Sequence, residues 1–281
     1  MNNIKIRQAT ASEADLNGIV HIHRKEADVP WNNIKDCALW TTKRLDCGFY
    51  ITVTELDGKI IAYAEWVISD EPDRKYLYLG YLQVDPDYQR KGIGRIIIDD
   101  GIEYAKKNNC SQLVTNPEIE SGADIFYRKC GFKDGPKLFS LQILTEPYKD
   151  YKFEKKILDK VPFLAVKENK FMFGKWEFSS HHVWQVYNES AHGRKSHVIL
   201  LQDGTYIQID HGSDGGAVII WANSKNYGDI IKSALSFAYS IGYHHLDFAY
   251  LENEECYLNG FELYNKKQES DFEQIYYINS K

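Results

Sequence analysis

Residues 84–95, Val-Asp-Pro-Asp-Tyr-Gln-Arg-Lys-Gly-Ile-Gly-Arg, combine the residue types that bind a phosphate-bearing ligand. Gly92 and Gly94 have no β-carbon, so a ligand can approach the backbone closely there. The apolar run after them predicts a helix, and the unpaired N–H groups and dipole of a helix N-terminus attract anions. Three basic residues add positive charge: Arg90, Lys91 and Arg95. The segment therefore predicts a pyrophosphate-binding turn between a strand and a helix.

Two common nucleotide-binding motifs do not explain this turn. A Walker A loop requires GxxxxGK[ST], which the chain lacks. A dinucleotide-binding fingerprint requires a third glycine where Ile97 stands, and no acidic residue ends a following strand. The predicted ligand therefore belongs to another class of phosphate-bearing molecule.

The elements around the turn form a regular series in the first half of the chain. We predict strands at residues 4–7, 49–56, 59–68, 76–84, 113–115 and 137–143, and helices at 10–27, 32–45, 93–108 and 121–129. Asp57-Gly58 between two strands is a strong hairpin signal. The order predicts a mixed α/β domain with at least one right-handed β-α-β crossover.

Two motifs in this half resemble those of a known family. Gln-Arg-Lys-Gly-Ile-Gly at 89–94 resembles the [RQ]xxGx[GA] motif of the GNAT superfamily of acetyl-CoA-dependent N-acetyltransferases. The family's AxxxYxxxGF element is matched by Ala123, Tyr127, Gly131 and Phe132. Residues 84–94 are especially similar to ribosomal-protein alanine acetyltransferases. The resemblance implies a GNAT-like mixed sheet and acetyl-CoA as co-substrate.

The resemblance also implies roles for individual residues. Leu82, Gln83 and Val84 would offer backbone groups to the pantetheine and the acetyl carbonyl. Tyr127 would protonate the departing thiolate, a form of general-acid catalysis. The residues implied at the pyrophosphate are Gln89, Arg90, Lys91, Gly92, Ile93, Gly94 and Arg95.

The chain departs from the family pattern at two positions. Glu120 stands where the family often has asparagine, and Thr115 stands where the ribosomal-protein enzymes carry a general-base glutamate. Acetylation of an ammonium group still requires a base. We predict Glu65 for this role, with two carboxylates beyond the first helix as alternatives, Glu26 and Asp28, and a water chain as a third possibility.

The second half repeats part of the series without the phosphate-binding residues. We predict strands at residues 171–178, 183–187, 198–201, 206–209, 217–222, 246–251 and 274–278, and a helix at 229–241. Residues 223–228 contain one glycine and little positive charge, and Tyr257, Gly260 and Phe261 echo the second motif only loosely. We therefore predict two tandem domains, the second a degenerate GNAT-like α+β domain, with ranges 1–146, a linker at 147–160, and 161–281.

Composition narrows the partners and the compartment. The 281 residues carry a formal charge of −6, which argues against binding to nucleic acid or an acidic membrane surface. Five scattered cysteines without CxxC spacing predict reduced thiols in the cytoplasm, and no apolar run is long enough to cross a bilayer. The nine histidines show no zinc-binding spacing, so no metal is expected.

The predicted function is transfer of an acetyl group from acetyl-CoA to a primary amine of a small molecule or peptide. No cysteine stands where a covalent relay would need it, so we predict direct attack by the amine in a ternary complex. A non-catalytic acyl-CoA-binding or sensor module is the alternative. The second domain would cover the acceptor cleft, shape substrate choice or form a homodimer contact.

Overall fold

A computed structural model describes the larger part of the chain. The described residues are 4–26, 33–46, 48–70, 74–117, 122–153, 155–158, 197–211, 216–222, 227–252, 261 and 263–278. Several predicted features lie outside them: Asp28, Glu120, Tyr257, Gly260 and the strands at 171–178 and 183–187.

The described elements are numbered in chain order. The strands are β1 (Ile4–Gln8), β2 (Tyr50–Leu56), β3 (Lys59–Asp70), β4 (Lys75–Val84), β5 (Gln112–Thr115), β6 (Lys133–Leu144), β7 (Lys155–Leu158), β8 (His197–Leu201), β9 (Tyr206–His211), β10 (Ala217–Ala222), β11 (His245–Leu251) and β12 (Leu263–Tyr277). The helices are α1 (Glu13–Glu26), α2 (Ile34–Asp46), α3 (Ile93–Lys107), α4 (Ala123–Lys129) and α5 (Tyr227–Ser240).

The chain forms two compact units that do not follow the predicted domain ranges. The first unit comprises residues 1–116, 125–133 and 274–281, and the second comprises 117–124 and 134–273. The difference arises because strands that follow one another in sequence, such as β5 and β6, belong to different units. Local sequence patterns report the existence of a strand but not its neighbour.

The strands of the first unit are hydrogen-bonded in the order β1-β2-β3-β4-β5, and β5 also pairs with the end of β12, residues 274–277. These strands are antiparallel except for the β4–β5 pair. The Asp57-Gly58 hairpin between β2 and β3 is confirmed, and both residues have positive φ (53° and 81°), as a type I′ turn requires. Helix α3 begins at Ile93 as predicted and packs closely on the sheet, since a β-carbon on Gly101 would lie 2.5 Å from the Trp66 ring.

The strands of the second unit include β6, β11, β10, β9, β8 and β7, hydrogen-bonded in that order. Helix α5 packs its apolar side on these strands, where Ile209, Ile219 and Leu235 are fully buried or nearly so. Strand β7 lies inside the predicted linker 147–160. β7 is an edge strand with mostly exposed side chains, so its lysine-rich sequence looks like that of a linker.

Each unit includes a strand segment from a distant part of the chain. In the first unit residues 274–277, which end β12, lie beside β5. Strand β6, which directly follows the first unit's helix α4 in sequence, lies beside β11 in the second unit. Each unit is therefore completed by a distant segment.

Candidate active site

Strands β4 and β5 separate part-way along their length. They pair only at Tyr76, Leu77 and Tyr78 of β4, and a last hydrogen bond joins Thr115 Oγ1 to the Leu79 carbonyl oxygen (3.2 Å). The next residues of β4, up to Val84, remain paired with β3 on the other side. One edge of β4 is thus left unpaired by β5 over the segment that contains Leu82, Gln83 and Val84, where the sequence predicts contacts to an acylated pantetheine.

A β-bulge coincides with the point of separation. Glu65 of β3 pairs with Tyr81 of β4, and Trp66 pairs with Leu79, so that Gly80 is the extra residue. A bulge bends a strand and increases its twist. Gly80 therefore turns the end of β4 away from β5 and opens the gap. The prediction did not include Gly80, although a glycine inside a strand pattern is a signal for a bulge.

A buried carboxylate fixes the turn that follows β4. Asp85 is fully buried, and its Oδ1 accepts hydrogen bonds from Lys25 Nζ (2.9 Å) and from the backbone N–H of Asp87 (3.1 Å). Gln89 donates from Nε2 to the Val84 carbonyl oxygen (3.1 Å), across the same turn. The hydrogen bonds of Asp85 and Gln89 thus fix the turn that precedes Gly92 and Gly94.

The backbone at the start of α3 exposes donors to solvent. Arg90 and Gly92 have positive φ (62° and 83°), and the first hydrogen bond of α3 runs from Ile96 N to Gly92 O. The N–H groups ahead of Ile96 have no acceptor within the helix, as in every α-helix. A non-glycine residue at positive φ stores of the order of 1 kcal/mol of strain, a feature that concentrates at functional sites.

The charge at this helix start favours an anion. No acidic residue occupies the first turn of α3, whereas α1 and α2 carry acids there. Arg95 is exposed and is oriented by hydrogen bonds from Nε to Asp99 Oδ1 (3.0 Å) and from Nη1 to the Lys129 carbonyl oxygen (3.4 Å). Lys91 is exposed as well, with Nζ 2.8 Å from the Asp87 carbonyl oxygen.

The two glycines of the turn differ in their surroundings. Open space surrounds the position of a β-carbon on Gly92, but one on Gly94 would lie 2.9 Å from the Phe126 ring of α4. Gly94 is therefore needed for the contact between α3 and α4, and its side of the helix faces protein. Gly92 faces solvent at the predicted ligand position, while the Ile93 side chain is buried in the core.

Tyr127 lies at the point where β4 and β5 separate. Its ring packs between Phe126 (centroids 5.2 Å apart) and Phe132 (5.4 Å), and its hydroxyl is hydrogen-bonded to Thr115. Burial raises the pKa of the phenol to about 12. The group is therefore a protonated phenol at neutral pH, beside the open edge of β4.

Glu65 does not present a free carboxylate. It is 4% exposed, and its Oε2 is paired with Nη1 of Arg44, a buried residue of α2. The Arg44 guanidinium carbon lies 4.9 Å from the Trp40 ring centroid and 5.5 Å from that of Tyr81. The prediction missed Arg44, because nothing in the sequence relates an arginine of α2 to a glutamate of β3.

The second unit lacks a comparable arrangement among its described residues. Strand β10 pairs with β11 only at Ala217 and Val218, so these two parallel strands also separate early. Next to this pair the His245 ring packs on Gly216, and Gln142 Nε2 donates to Asp247 Oδ1 (2.8 Å). Residues 223–226, ahead of α5, lie outside the described part.

Metal-binding clusters and membrane-spanning helices are both missing from the described residues. No group of three or more histidine, cysteine, aspartate or glutamate side chains in the described ranges is arranged to hold a metal ion. Within those ranges, too, no helix combines the length and the apolar character needed to span a bilayer.

The chain is similar in sequence to known N-acetyltransferases over part of its length. A family model described as the acetyltransferase (GNAT) family matches residues 16–132. An uncharacterized N-acetyltransferase from Methanocaldococcus jannaschii is 34% identical over 100 residues, a segment that covers 34% of this chain and 43% of the relative. The match thus spans less than half of that relative's length.

Two solved structures match almost the whole chain. A GCN5-related N-acetyltransferase from Kribbella flavida superposes with a TM-score of 0.66 at 12% identity, covering 98% of this chain and 72% of the other. A tandem GNAT protein from the clavulanic acid biosynthesis pathway gives 0.51 at 12% identity, with 99% and 100% covered. At this identity the likeness concerns the fold alone, and it confirms the predicted mixed α/β GNAT-like fold with two tandem domains.

Proposed function

We propose that the chain transfers an acetyl group from acetyl-CoA to a primary amine, because residues 16–132 match the model of the GNAT acetyltransferase family. One observation supports the proposal: β4 leaves β5 after Tyr78 and leads directly into the turn before α3, and Tyr127 is hydrogen-bonded to Thr115, whose hydroxyl bonds to Leu79 where the two strands separate. A phosphate group, an extended chain and a leaving thiolate need, respectively, the turn, the unpaired edge of β4 and the Tyr127 hydroxyl.

Acetyl-CoA fits the groups present at the turn and along β4. Backbone N–H groups of residues 90–95 would donate to the pyrophosphate, with Arg90, Lys91 and Arg95 supplying positive charge. Backbone groups of Leu82, Gln83 and Val84 would bind the pantetheine and the acetyl carbonyl, as an added strand binds to a sheet edge. Acetyl-CoA supplies the activated acyl group.

Tyr127 is the proposed general acid. The amine nitrogen attacks the acetyl carbon directly, the carbon–sulfur bond breaks, and the phenol gives its proton to the departing thiolate. Its pKa of about 12 keeps the proton in place at neutral pH until the thiolate forms. Such proton transfer contributes about 10²- to 10⁴-fold to the rate.

Glu65 is the proposed base that receives the proton of the acceptor ammonium. It pairs in register with Tyr81 on the part of β4 that has separated from β5, which places it one strand away from the gap. Since Arg44 holds the carboxylate in a buried ion pair, we propose that the proton reaches it through water. Replacement of Glu65 by Gln should remove the acidic limb of the pH–rate profile.

The acceptor is proposed to be a small molecule or a peptide with a primary amine. We place the reaction in the cytoplasm, since Cys37, Cys110 and Cys130, the cysteines that the structure describes, are buried and are not joined by disulfide bonds within the described ranges. A non-catalytic acyl-CoA sensor would bind acetyl-CoA equally well. Release of CoA with a panel of amines distinguishes the enzyme from the sensor.

Two glycines provide a matched test of the acetyl-CoA site. Gly92 and Gly58 have nearly equal positive φ (83° and 81°), and open space surrounds the position that an added β-carbon would take on each, so alanine strains both backbones alike. We expect G92A to weaken acetyl-CoA binding at least tenfold by calorimetry, whereas G58A should bind as the unchanged protein does. Equal affinities in G92A and the unchanged protein would remove the turn from the site.

A further inference from the structure

The strand that completes the first unit's sheet places a polar residue beside the proposed acid. Gln274 of β12 pairs in register with Thr115 of β5, the residue whose hydroxyl contacts Tyr127. Directly opposed residues of an antiparallel pair point to the same face, with β-carbons about 5 Å apart. A glutamine side chain can span that separation.

Tyr276, a second residue of β12, shows to which face of the sheet Gln274 points. Tyr276, two positions after Gln274, contacts the end of α4: its ring lies 3.2 Å from a β-carbon placed on Gly131 and 5.7 Å from the Phe132 centroid. Residues two apart in a strand share a face. Gln274 therefore points to the face that carries α4 and Tyr127, and it is completely buried there.

The hydrogen bonds of Thr115 link the orientation of its hydroxyl to that of the Tyr127 proton. Its hydroxyl has one proton, which it donates to the Leu79 carbonyl oxygen, because a carbonyl can only accept. Toward Tyr127 the Thr115 oxygen therefore presents lone pairs, and the phenol donates to it. The rotation of one hydroxyl thus sets the direction of the Tyr127 proton.

We infer that Gln274 is a positioning residue, and that its amide restrains the Thr115 hydroxyl and through it orients the Tyr127 phenol toward the gap between β4 and β5. The inference rests on the proposed role of Tyr127. It makes the last strand of the chain part of the acetyl-transfer centre. Gln274 itself contacts no reacting atom in this assignment.

The test replaces Gln274 by Met, which keeps the unbranched shape and removes the amide. We expect kcat to fall about tenfold, with acetyl-CoA affinity changed less than about twofold. T115V should show a similar fall, and the double variant should be no worse than T115V alone, because coupled residues are not additive. Y277F, on the same strand but half exposed, is the control and should keep full activity.

Two results would overturn the inference: an unchanged kcat in Q274M, or strictly additive losses in the double variant. If Q274M does not fold, Q274N, which withdraws the amide by one methylene, must show the same selective fall in kcat. A ¹³C-tyrosine NMR titration without acetyl-CoA separates this inference from the proposed function. A shifted Tyr127 titration in Q274M supports positioning even in a chain that transfers no acetyl group, and an identical titration contradicts it.

Discussion

Acidification is expected to destabilise the protein in part through one buried ring, that of His23. The side chain is completely buried in α1, and its ring packs edge-on against Tyr63 with centroids 4.8 Å apart. Burial lowers the pKa of His23 from 6.5 to about 4, and the positive charge of Arg44 acts in the same direction. The folded protein therefore keeps this histidine neutral.

The size and sign of the effect follow from proton linkage. Between pH 6.5 and pH 4 the unfolded chain binds a proton at His23 that the folded protein does not. The stabilisation is fully present above pH 6.5 and is lost as the pH falls toward 4. Each pH unit is worth about 1.4 kcal/mol, so the full difference is about 3 kcal/mol.

The assay compares unfolding of the unchanged protein and H23Q in urea at about pH 7.5 and about pH 4.5. Carboxylates that titrate in this range are present in both proteins, so their effect cancels in the comparison. We expect the stability advantage of the unchanged protein to shrink by about 2–3 kcal/mol at the lower pH. H21Q, on the same helix with a half-exposed side chain, is the control. Parallel pH dependences for H23Q and the unchanged protein would refute the reasoning.

Three further perturbations test other parts of the first unit. R44M or E65L alone should cost about 3–5 kcal/mol of stability in urea, and the double variant much less, because each single change leaves a buried charge unpaired. Additive losses in that cycle would contradict the buried pair. G101A should cost about 1–3 kcal/mol, since its β-carbon would lie 2.5 Å from Trp66; an unchanged melting temperature would exclude that contact. Deletion of residues 274–281 should abolish acetyl-CoA binding measured by calorimetry, whereas retained affinity would show that β12 is dispensable.

Local chemistry made much of the first unit predictable. The Asp57-Gly58 turn requires positive φ at both residues, and these residue types adopt it readily. The start of α3 at Ile93 follows from a glycine ahead of an apolar helical run. Tyr127 was predicted from motif spacing, and the structure places its hydroxyl against Thr115.

The features that escaped prediction depend on distant parts of the chain. The ion pair of Arg44 with Glu65 joins a helix and a strand whose contact only the folded packing creates. The pairing of β6 with β11 and of β12 with β5 cannot be predicted from the local sequence, since both segments have the pattern of ordinary strands. Gln274 was assigned to a strand, but the identity of its neighbour Thr115 required the register.

The exchanged final strand has a consequence for synthesis of the protein. Strand β5 leaves the ribosome well before its partner β12, which lies more than half of this sequence further along the chain. Until then the nascent first unit exposes an unpaired sheet edge, which is a template for aggregation. The first unit therefore completes its set of strands only after β12 has been translated, and products truncated before residue 274 would lack a finished first unit.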